Sequence, residues 1–547
     1  MSVSSSGTLR APAAAGAAGG PGPEPDRHRA PGQHGAPTRR RPRRPASPLL
    51  ATLATLVAAL TVLPVAVILV RAGSGPPGEA LDYLVRPRIG ELLAHTGWLM
   101  VLTVPATVVL GVGAAWLVER TDLPVPGLWR TLMLAPLAVP AFVSAYAWIS
   151  VRPGLVGLGG AVLVTTLAYF PFVFLPVAAL LRTLDAGEEE IARSLGVGPV
   201  GAFFRTVLPR LRPAVSGGAL LVALHLLAEF GVLEMMRYQT FTTAILQQYA
   251  VGFSDVRGSL LATVLLVLCL LVLTVEVAAR GRARVARLGA GAGRRPLPLP
   301  LGRWTVPAVA ALGAVVALAV VVPVAVVARW LLVGTRIRVE GAGLGDLLLV
   351  TGSTVGLAVL GGLLAVALGL PGAVLLDRHP GPFAVLVERL TFLASSLPGV
   401  VVALALITLS ISLVPGIYQT ALLLLLAYAI LFLPRAMVAL RSGLAAAPPE
   451  LAEAARSLGQ NGAGVLGRVV LPLAAPSVLA GFVLVALAIS TELTATLLLA
   501  PTGVETLALA FWSATAELDY AAAAPFAAMM IALSVPLTVL LRRQITS

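Results

Sequence analysis

One short stretch occurs twice in this chain and determines how the rest is organised. The first copy reads EIARSLG at residues 190–196 and is followed, after nine residues, by TVLP at 206–209. The second copy reads EAARSLG at 453–459 and is followed, after nine residues, by VVLP at 469–472. The two copies are 263 residues apart, about half the chain, and each is a polar segment between strongly apolar ones. The sequence therefore predicts two equivalent halves, each carrying one such loop.

The composition requires a lipid environment. The mean hydropathy is +0.93, with 58% hydrophobic and only 12% charged residues, too few for the surface of a soluble protein of 547 residues. All 39 basic residues are arginine, and they gather at the ends of apolar runs rather than along a face with interleaved aromatic residues. This distribution is typical of the positive-inside rule and argues against a nucleic-acid partner.

The apolar segments predict an all-α polytopic membrane protein with about twelve transmembrane helices. A helix needs about 20 apolar residues to cross the hydrocarbon layer. Twelve segments satisfy this requirement: 49–70, 92–118, 130–150, 157–181, 213–235, 257–280, 304–333, 350–376, 387–412, 416–440, 476–499 and 521–542. Arginines before the first segment and at Arg542 and Arg543 predict that both chain termini, and with them both loops, are cytoplasmic.

The same pattern predicts the domain boundaries. Residues 1–48 form a disordered basic cytoplasmic tail, since they are rich in Pro, Gly, Ala and Arg without an apolar period. The first half spans 49–280, an arginine-rich cytoplasmic linker spans 281–303, and the second half spans 304–547. Each half has six spans in the same orientation, which predicts a parallel repeat with the transport pathway between the halves.

Each loop is predicted to be a helix, a turn and a second short helix. The Ala-rich stretch favours helix, and Gly196 or Gly459 ends it, because glycine adopts the left-handed capping conformation at little cost. The second helix runs to the Leu-Pro pair of each copy, and Pro213 and Pro476 then open the next spans. An ordinary amphipathic interfacial loop is the alternative, although two copies at matched positions argue against it.

The loop pattern resembles the signature of the inner-membrane permeases of binding-protein-dependent ABC importers, which reads Glu-Ala-Ala, three residues, Gly, nine residues, Ile-x-Leu-Pro. This sequence departs from it mildly, at Ile191, Thr206 and Val469. The resemblance covers roughly residues 90–280 and 350–543 and implies the type I importer fold, with each loop forming a coupling helix in a cleft of the ATP-binding subunit. The coupling residues carried over are Glu190, Ala192, Gly196, Leu208, Pro209, Glu453, Ala455, Gly459, Leu471 and Pro472.

The resemblance also implies the partners. The chain has no Lys and hence no Gly-x-x-x-x-Gly-Lys-Ser/Thr loop, so we expect no catalytic residue and no cofactor in it. ATP is expected to be bound and hydrolysed by two copies of a separate cytoplasmic ABC ATPase. An extracellular or periplasmic binding protein is expected to deliver the substrate to this permease in the bacterial cytoplasmic membrane.

Four polar residues inside predicted spans are candidates for the transport pathway: His225, Glu229, Thr491 and Glu492. An acidic residue in a span costs roughly 2.5–3.5 kcal/mol at the bilayer centre and usually faces a partner or a cavity. Glu229 and Glu492 share the 263-residue offset of the loops and lie about 16 residues into their spans. They either line an outward gate that meets a cation or make a hydrogen bond or ion pair that fixes helix packing; the sequence does not identify metal ligands.

The cargo suggested by the resemblance is ferric iron. The run LAEFG at 227–231 and the run TELTATLLL at 491–499 resemble the ferric-iron branch of the permeases. Carboxylate oxygens suit a hard cation such as Fe³⁺. Fused permeases for thiamine or phosphonates are similar and remain alternatives, and a secondary transporter with twelve spans driven by an ion gradient is a more distant one.

Overall fold

A computed structural model describes residues 47–184, 191–192, 194–252, 255–280, 298–336, 343–393, 397–445 and 449–546. The described chain is α-helical, and its only β-type pairing is an isolated bridge between Thr121 and Leu299. The prediction of an all-α protein is confirmed. The predicted tail, apart from its last residues, and most of the predicted linker lie outside the described residues.

Among the described residues, eleven α-helices of five or more residues precede the linker and eleven follow it. The eleven before the linker are α1 Pro48–Ala72, α2 Pro77–Leu84, α3 Pro87–Arg120, α4 Pro126–Leu134, α5 Ala141–Val151, α6 Gly157–Tyr169, α7 Pro171–Thr183, α8 Leu208–Ala228, α9 Gly231–Met235, α10 Phe241–Gly252 and α11 Asp255–Arg280.

The eleven after the linker are α12 Thr305–Val316, α13 Val322–Arg336, α14 Leu344–Arg378, α15 Pro382–Leu393, α16 Gly399–Leu413, α17 Ala421–Ala445, α18 Pro449–Ser457, α19 Leu471–Ser490, α20 Thr494–Leu499, α21 Leu507–Ala516 and α22 Tyr520–Thr546.

Within the described ranges, nine helical stretches are long and apolar enough to cross a membrane. A tenth crossing results if α4 and α5, which are bent by 87° at a break, form one span. The break lies at Val139 and Pro140, whose extended backbone interrupts the helix. Two shorter apolar helices, α16 and most of α22, account for the remaining predicted segments, 387–412 and 521–542. Helix α21 is a further short apolar helix that was not predicted as a span.

Besides 130–150, three predicted spans are not continuous helices, and this part of the prediction was wrong. The segment predicted as 387–412 is divided between α15 and α16, with Leu397 and Pro398 outside both helices. The segment predicted as 213–235 begins earlier and ends at Ala228, where a break precedes α9. The segment predicted as 476–499 likewise ends at Ser490, where a break precedes α20. Pro213 and Pro476 therefore lie inside helices rather than opening them. Apolar composition alone does not distinguish one long helix from two helices joined by a buried break.

The first span of each half packs on the other half. Helix α1 lies against α14, α15 and α16, and the Thr61 hydroxyl donates to the Leu390 carbonyl at 3.3 Å. Helix α13 lies against α5, and the Trp330 indole N–H donates to the Ser150 hydroxyl at 2.6 Å. The halves are thus interlocked, and neither buries its apolar surface alone.

The halves also share one apolar core near the breaks that follow α8 and α19. Phe142 of the first half lies 5.5 Å from Phe511 of the second, and Phe230 lies 5.1 Å from Trp512, measured between ring centroids. Burial of such aromatic side chains stabilises contact between the halves at this level. The interface between the halves is therefore closed at the ends of α8 and α19 farthest from the duplicated loops.

Candidate functional site

The second loop is a helix closed by a left-handed glycine. Helix α18 ends at Ser457, and Gly459 follows at φ +84°. The Gly459 N–H donates to the Arg456 carbonyl at 3.0 Å, and the Gln460 N–H reaches back to the Ala455 carbonyl at 3.1 Å. A residue with a Cβ is strained at such a φ, so glycine permits the carbonyls at the helix end to be satisfied.

The first loop repeats this geometry. Gly196 has φ +83°, and the Val197 N–H donates to the Ala192 carbonyl at 3.1 Å, the counterpart of the bond between Gln460 and Ala455. Glu190, the acidic residue of this copy, lies outside the described residues, whereas Glu453 is described and exposed. The two loops therefore have the same conformation at the glycine turn, where both are described.

Each loop runs into the following span without a turn back. One-turn helices at Pro199–Ala202 and Gly462–Val465 lead into π-helical turns at Phe203–Val207 and Leu466–Val470. Helices α8 and α19 then begin with Leu208-Pro209 and Leu471-Pro472. A proline lacks the N–H for the carbonyl four residues earlier and its ring crowds that carbonyl, which favours a widened π turn. The expected break at the Leu-Pro pair is therefore absent, and loop and span form one helical path.

Both loops expose a leucine, and the second loop buries two alanines. Leu195 and Leu458, again 263 residues apart, are 78% and 83% exposed. In the second loop Ala452, 1% exposed, and Ala455 belong to the same buried cluster as Val465 of the next turn. These alanines attach the second loop to the helical bundle, and the Leu458 side chain is left facing outwards.

Glu229 lies at the break after α8 and is fully engaged. Its Oε1 accepts the Val232 N–H of α9 at 2.9 Å, and its Oε2 accepts the Tyr169 hydroxyl. Its backbone carbonyl accepts the Thr242 hydroxyl at 2.6 Å. Glu229 is thus not inside a continuous span, as the sequence had suggested, but at the start of a short helix whose free N–H groups it satisfies.

Glu492 has the same position in the second half. Its carboxylate accepts the Ala495 N–H at 3.0 Å, the Thr496 N–H at 3.1 Å and the Thr496 hydroxyl at 3.0 Å. Tyr428, the counterpart of Tyr169, forms a hydrogen bond with the Thr496 hydroxyl at 2.7 Å. Thr491 beside it is the C-cap of α19, and its hydroxyl donates to Ala488 at 3.3 Å. Both acids bind backbone donors, which favours the packing interpretation over direct contact with a cation.

His225 lies on the wall of α8 one turn before Glu229. Its Nδ1 is 2.8 Å from the Leu221 carbonyl, so this nitrogen carries the proton, and its ring centroid lies 4.5 Å from that of Phe172. Among the described residues, no three His, Cys, Asp or Glu side chains converge on a point that could hold a metal ion. Sequence reasoning missed Arg435 of α17, a charged residue in the middle of a span and close enough to His225 for a coulombic interaction.

Comparison with known proteins assigns this arrangement to a family. The sequence pattern of the binding-protein-dependent transport system inner membrane component matches residues 107–284 and 365–545, once in each half. The Fe(3+)-transport system permease protein FbpB 2 of Haemophilus influenzae is 36% identical over 474 residues, covering 86% of this chain and 93% of the relative.

More distant relatives match one part of the chain. The sulfate transport system permease protein CysW of Escherichia coli K12 is 27% identical over 225 residues, 38% of this chain and 77% of the relative. The molybdenum transport system permease protein ModB of Azotobacter vinelandii is 29% identical over 151 residues, 25% of this chain and 67% of the relative. The chain therefore belongs to the family of binding-protein-dependent transport system inner membrane components and carries two of its domains, as the loop pattern had indicated.

Proposed function

We propose that this chain is the transmembrane permease subunit of an ATP-driven importer and carries ferric iron from an extracellular binding protein to the cytoplasm. The observation that supports it most directly is the pair of loops with one conformation, each ending in a left-handed glycine and presenting an exposed leucine. Two equal docking points fit two copies of one ATPase subunit, because equal surfaces bind equal partners.

Each loop acts as a mechanical link. The Leu195 and Leu458 side chains enter apolar clefts of the two ATPase subunits, and the loops move when these subunits close. The movement passes along α8 and α19, which contain 21 and 20 residues and are therefore about 30 Å long. At the far end of these helices lie Glu229 and Glu492, beside the aromatic contacts that close the interface between the halves.

In this mechanism the two carboxylates act as rigid links between helices. Each holds a short helix, α9 or α20, at the end of a long one through backbone hydrogen bonds. Movement of the long helix is thereby transmitted to the short helix and to the apolar contacts around Phe230 and Leu493. The passage opens to the binding protein when these contacts separate.

The cargo assignment is supported by the fused Fe(3+) relative, whose similarity spans most of both chains, whereas the sulfate and molybdenum relatives match only part of this one. The decisive experiment reconstitutes the chain with its ATPase and binding protein in proteoliposomes. Uptake of radioactive Fe³⁺ is compared with uptake of sulfate, molybdate, thiamine and a phosphonate, with and without ATP.

We expect ATP-dependent uptake of iron alone. Uptake of another compound in its place would transfer the assignment to that cargo. Iron uptake that persists without ATP while a proton gradient is maintained would instead indicate an ion-gradient-driven transporter. The orientation is tested in cells with the substitution Leu458→Cys, because the native Cys269 is 1% exposed and should not react. A membrane-impermeant thiol reagent should label this position only after the cells are opened.

A further inference from the structure

Arg435 is a charged side chain in the middle of a span without a charged partner. It lies in α17, about 15 Å from the end of the helix that leads to the second loop, at 1.5 Å per residue. Its guanidinium carbon lies 5.2 Å from the centre of the Phe432 ring, and within the described part of the chain it forms neither a hydrogen bond nor an ion pair. A guanidinium that faced lipid at this depth would be costly, so a hydrated or liganded position is favoured.

The residues around Arg435 place it on the wall between the two halves. It is exposed, as are Val438 and Ser442 on the same face of α17, whereas residues 427–430, nearer the closed end, are buried. Arg435 belongs to the second half, yet it interacts electrostatically with His225 of the first half. The open face of α17 therefore looks across the passage towards α8.

The first half presents the matching face without the charge. The tyrosines of α6 and α17, Tyr169 and Tyr428, are 259 residues apart, and the same offset relates Arg435 to Pro176. Pro176 is half-buried, and Phe172 beside it packs on the His225 ring. Arg435 is thus a positive charge whose counterpart in the first half, Pro176, is apolar.

The carboxylates that could bind a cation are engaged elsewhere. The oxygens of Glu229 and Glu492 accept hydrogen bonds from protein donors. The charge that remains available on this wall is positive, and a guanidinium favours carboxylate, phosphate and similar oxyanions. We propose that Arg435 is an anion-binding residue of the passage, so that the cargo passes it as a negatively charged species.

On the basis of the proposed function, Arg435 determines the chemical form in which iron crosses the membrane. Fe³⁺ is a hard cation that binds oxyanions strongly. A complex in which the anionic charge exceeds that of Fe³⁺, such as a complex with two citrate ions, carries a net negative charge. Iron therefore passes Arg435 together with its anionic ligand and not as the bare ion. An oxyanion by itself satisfies the same site, which is compatible with the sulfate and molybdenum relatives.

The first experiment measures charge selectivity without any cargo. Val438, three residues from Arg435 on the same helix face and 55% exposed, is replaced by cysteine. The introduced thiol is treated with an anionic reagent, 2-sulfonatoethyl methanethiosulfonate, or a cationic one, the 2-trimethylammonioethyl analogue. One unit charge at this separation changes the ratio of the two reaction rates by about tenfold.

We expect the anionic-to-cationic rate ratio to fall about tenfold in Arg435→Gln and to be retained in Arg435→Lys, because the charge is what matters. The control thiol is Leu458→Cys on the exposed loop, where the ratio should be the same with and without Arg435, because salt screens distant exposed charges. An unchanged ratio at position 438 in Arg435→Gln would overturn the proposal.

The second experiment follows the cargo itself. Proteoliposomes containing the complete transporter receive radioactive Fe³⁺ with carbon-labelled citrate, and both labels are counted. We expect iron and citrate to enter in a fixed ratio, with uptake at least tenfold lower in Arg435→Gln and partly restored in Arg435→Lys. Entry of iron without citrate or any other supplied oxyanion would overturn the proposal. Absence of iron uptake in the unchanged protein would refute the iron cargo, and the thiol ratio would still decide whether Arg435 selects anions.

Discussion

The left-handed turns of the two loops provide a quantitative test of coupling. Gly459 has φ +84°, and a Cβ added to it would meet nothing within 4 Å. The substitution Gly459→Ala therefore acts through the backbone alone and costs roughly 1–2 kcal/mol in this region. That corresponds to about a five- to thirtyfold loss in the population of the closed turn relative to alternative conformations.

Two matched controls isolate this effect. Gly462 lies three residues further on, is also open on its Cβ side, and does not have a positive φ. The substitution Gly462→Ala thus adds the same methyl group to the same loop without the backbone strain. In the first loop, Gly196→Ala and Gly198→Ala form the same pair, since Gly196 has φ +83° and Gly198 does not have a positive φ.

The assay is ATP-driven uptake by the complete transporter in proteoliposomes, together with the ATPase rate stimulated by the loaded binding protein. We expect Gly459→Ala to lower uptake per ATP hydrolysed several-fold and Gly459→Asn to lower it less, because asparagine tolerates the left-handed region better than alanine. Gly462→Ala should behave like the unchanged protein. Equal behaviour of Gly459→Ala and Gly462→Ala would refute the idea that the turn transmits movement.

Three further predictions follow from the packing. Leu458→Ser should weaken ATPase binding by about tenfold, as expected when part of a buried leucine's 1.5–3 kcal/mol is lost, while the unfolding temperature of the permease stays constant, because this side chain is 83% exposed. Glu492→Ala should lower the unfolding temperature in detergent, since unpaired buried N–H groups cost about 1–3 kcal/mol, and Glu492→Gln should lower it less. Loss of uptake without a change in the unfolding temperature would instead favour the interpretation that Glu492 lines an outward gate that meets a cation. Gly481→Ala should reduce the yield of folded protein, because its Cβ would lie 2.1 Å from that of Ala439 and overpacking costs about 1–3 kcal/mol, whereas Gly356→Ala, with open space around it, should be tolerated.

Much of the fold could be predicted from the sequence because two strong signals coincide. Apolar runs of sufficient length identify spans, since lipid tolerates few alternatives to a helix. The duplicated pattern fixes the repeat and the position of the loops. The breaks at Ala228 and Ser490 could not be predicted, because the segments on both sides are apolar and the carboxylates of Glu229 and Glu492 bind backbone N–H groups after each break. The break at Val139 precedes Pro140, but proline also occurs inside long helices of this chain, as at Pro105, and so does not by itself mark a break.

The site was predictable where it depends on the backbone and not where it depends on tertiary contacts. Gly196 and Gly459 could be placed at left-handed turns because glycine after an Ala-rich helix is a local signal. The hydrogen bond from Tyr169 to Glu229, 60 residues away, depends on how α7, which follows Tyr169, packs against α8. Arg435 could have been noticed in the sequence as an arginine inside an apolar run, but only the structure brings it near enough to His225 for their charges to interact.

In the proposed mechanism, the two halves are alike where they would meet identical ATPase subunits and differ where they would meet the cargo. Leu195 and Leu458, like the two glycines beside them, correspond at one offset and in one local conformation, which suits contact with two copies of one ATPase. Inside the passage the correspondence breaks down. Tyr169 binds Glu229 directly, whereas Tyr428 binds Thr496, which in turn binds Glu492, and Leu233 occupies the position in the first half that corresponds to Thr496.

A single cargo that moves along the axis between the halves has no twofold symmetry of its own, so it does not require equal walls. Because the two halves lie in one chain, their sequences can differ, and one half can carry a charge, Arg435, that the other lacks. Two identical copies of a half-size permease would instead place two such charges opposite each other. Two guanidinium groups would repel each other across the passage and bind a multivalent oxyanion too tightly for release. Fusion of the halves in one chain thus allows an anion-binding step weak enough for transport, and Pro176→Arg, which restores the symmetric arrangement, is expected to slow release and lower uptake.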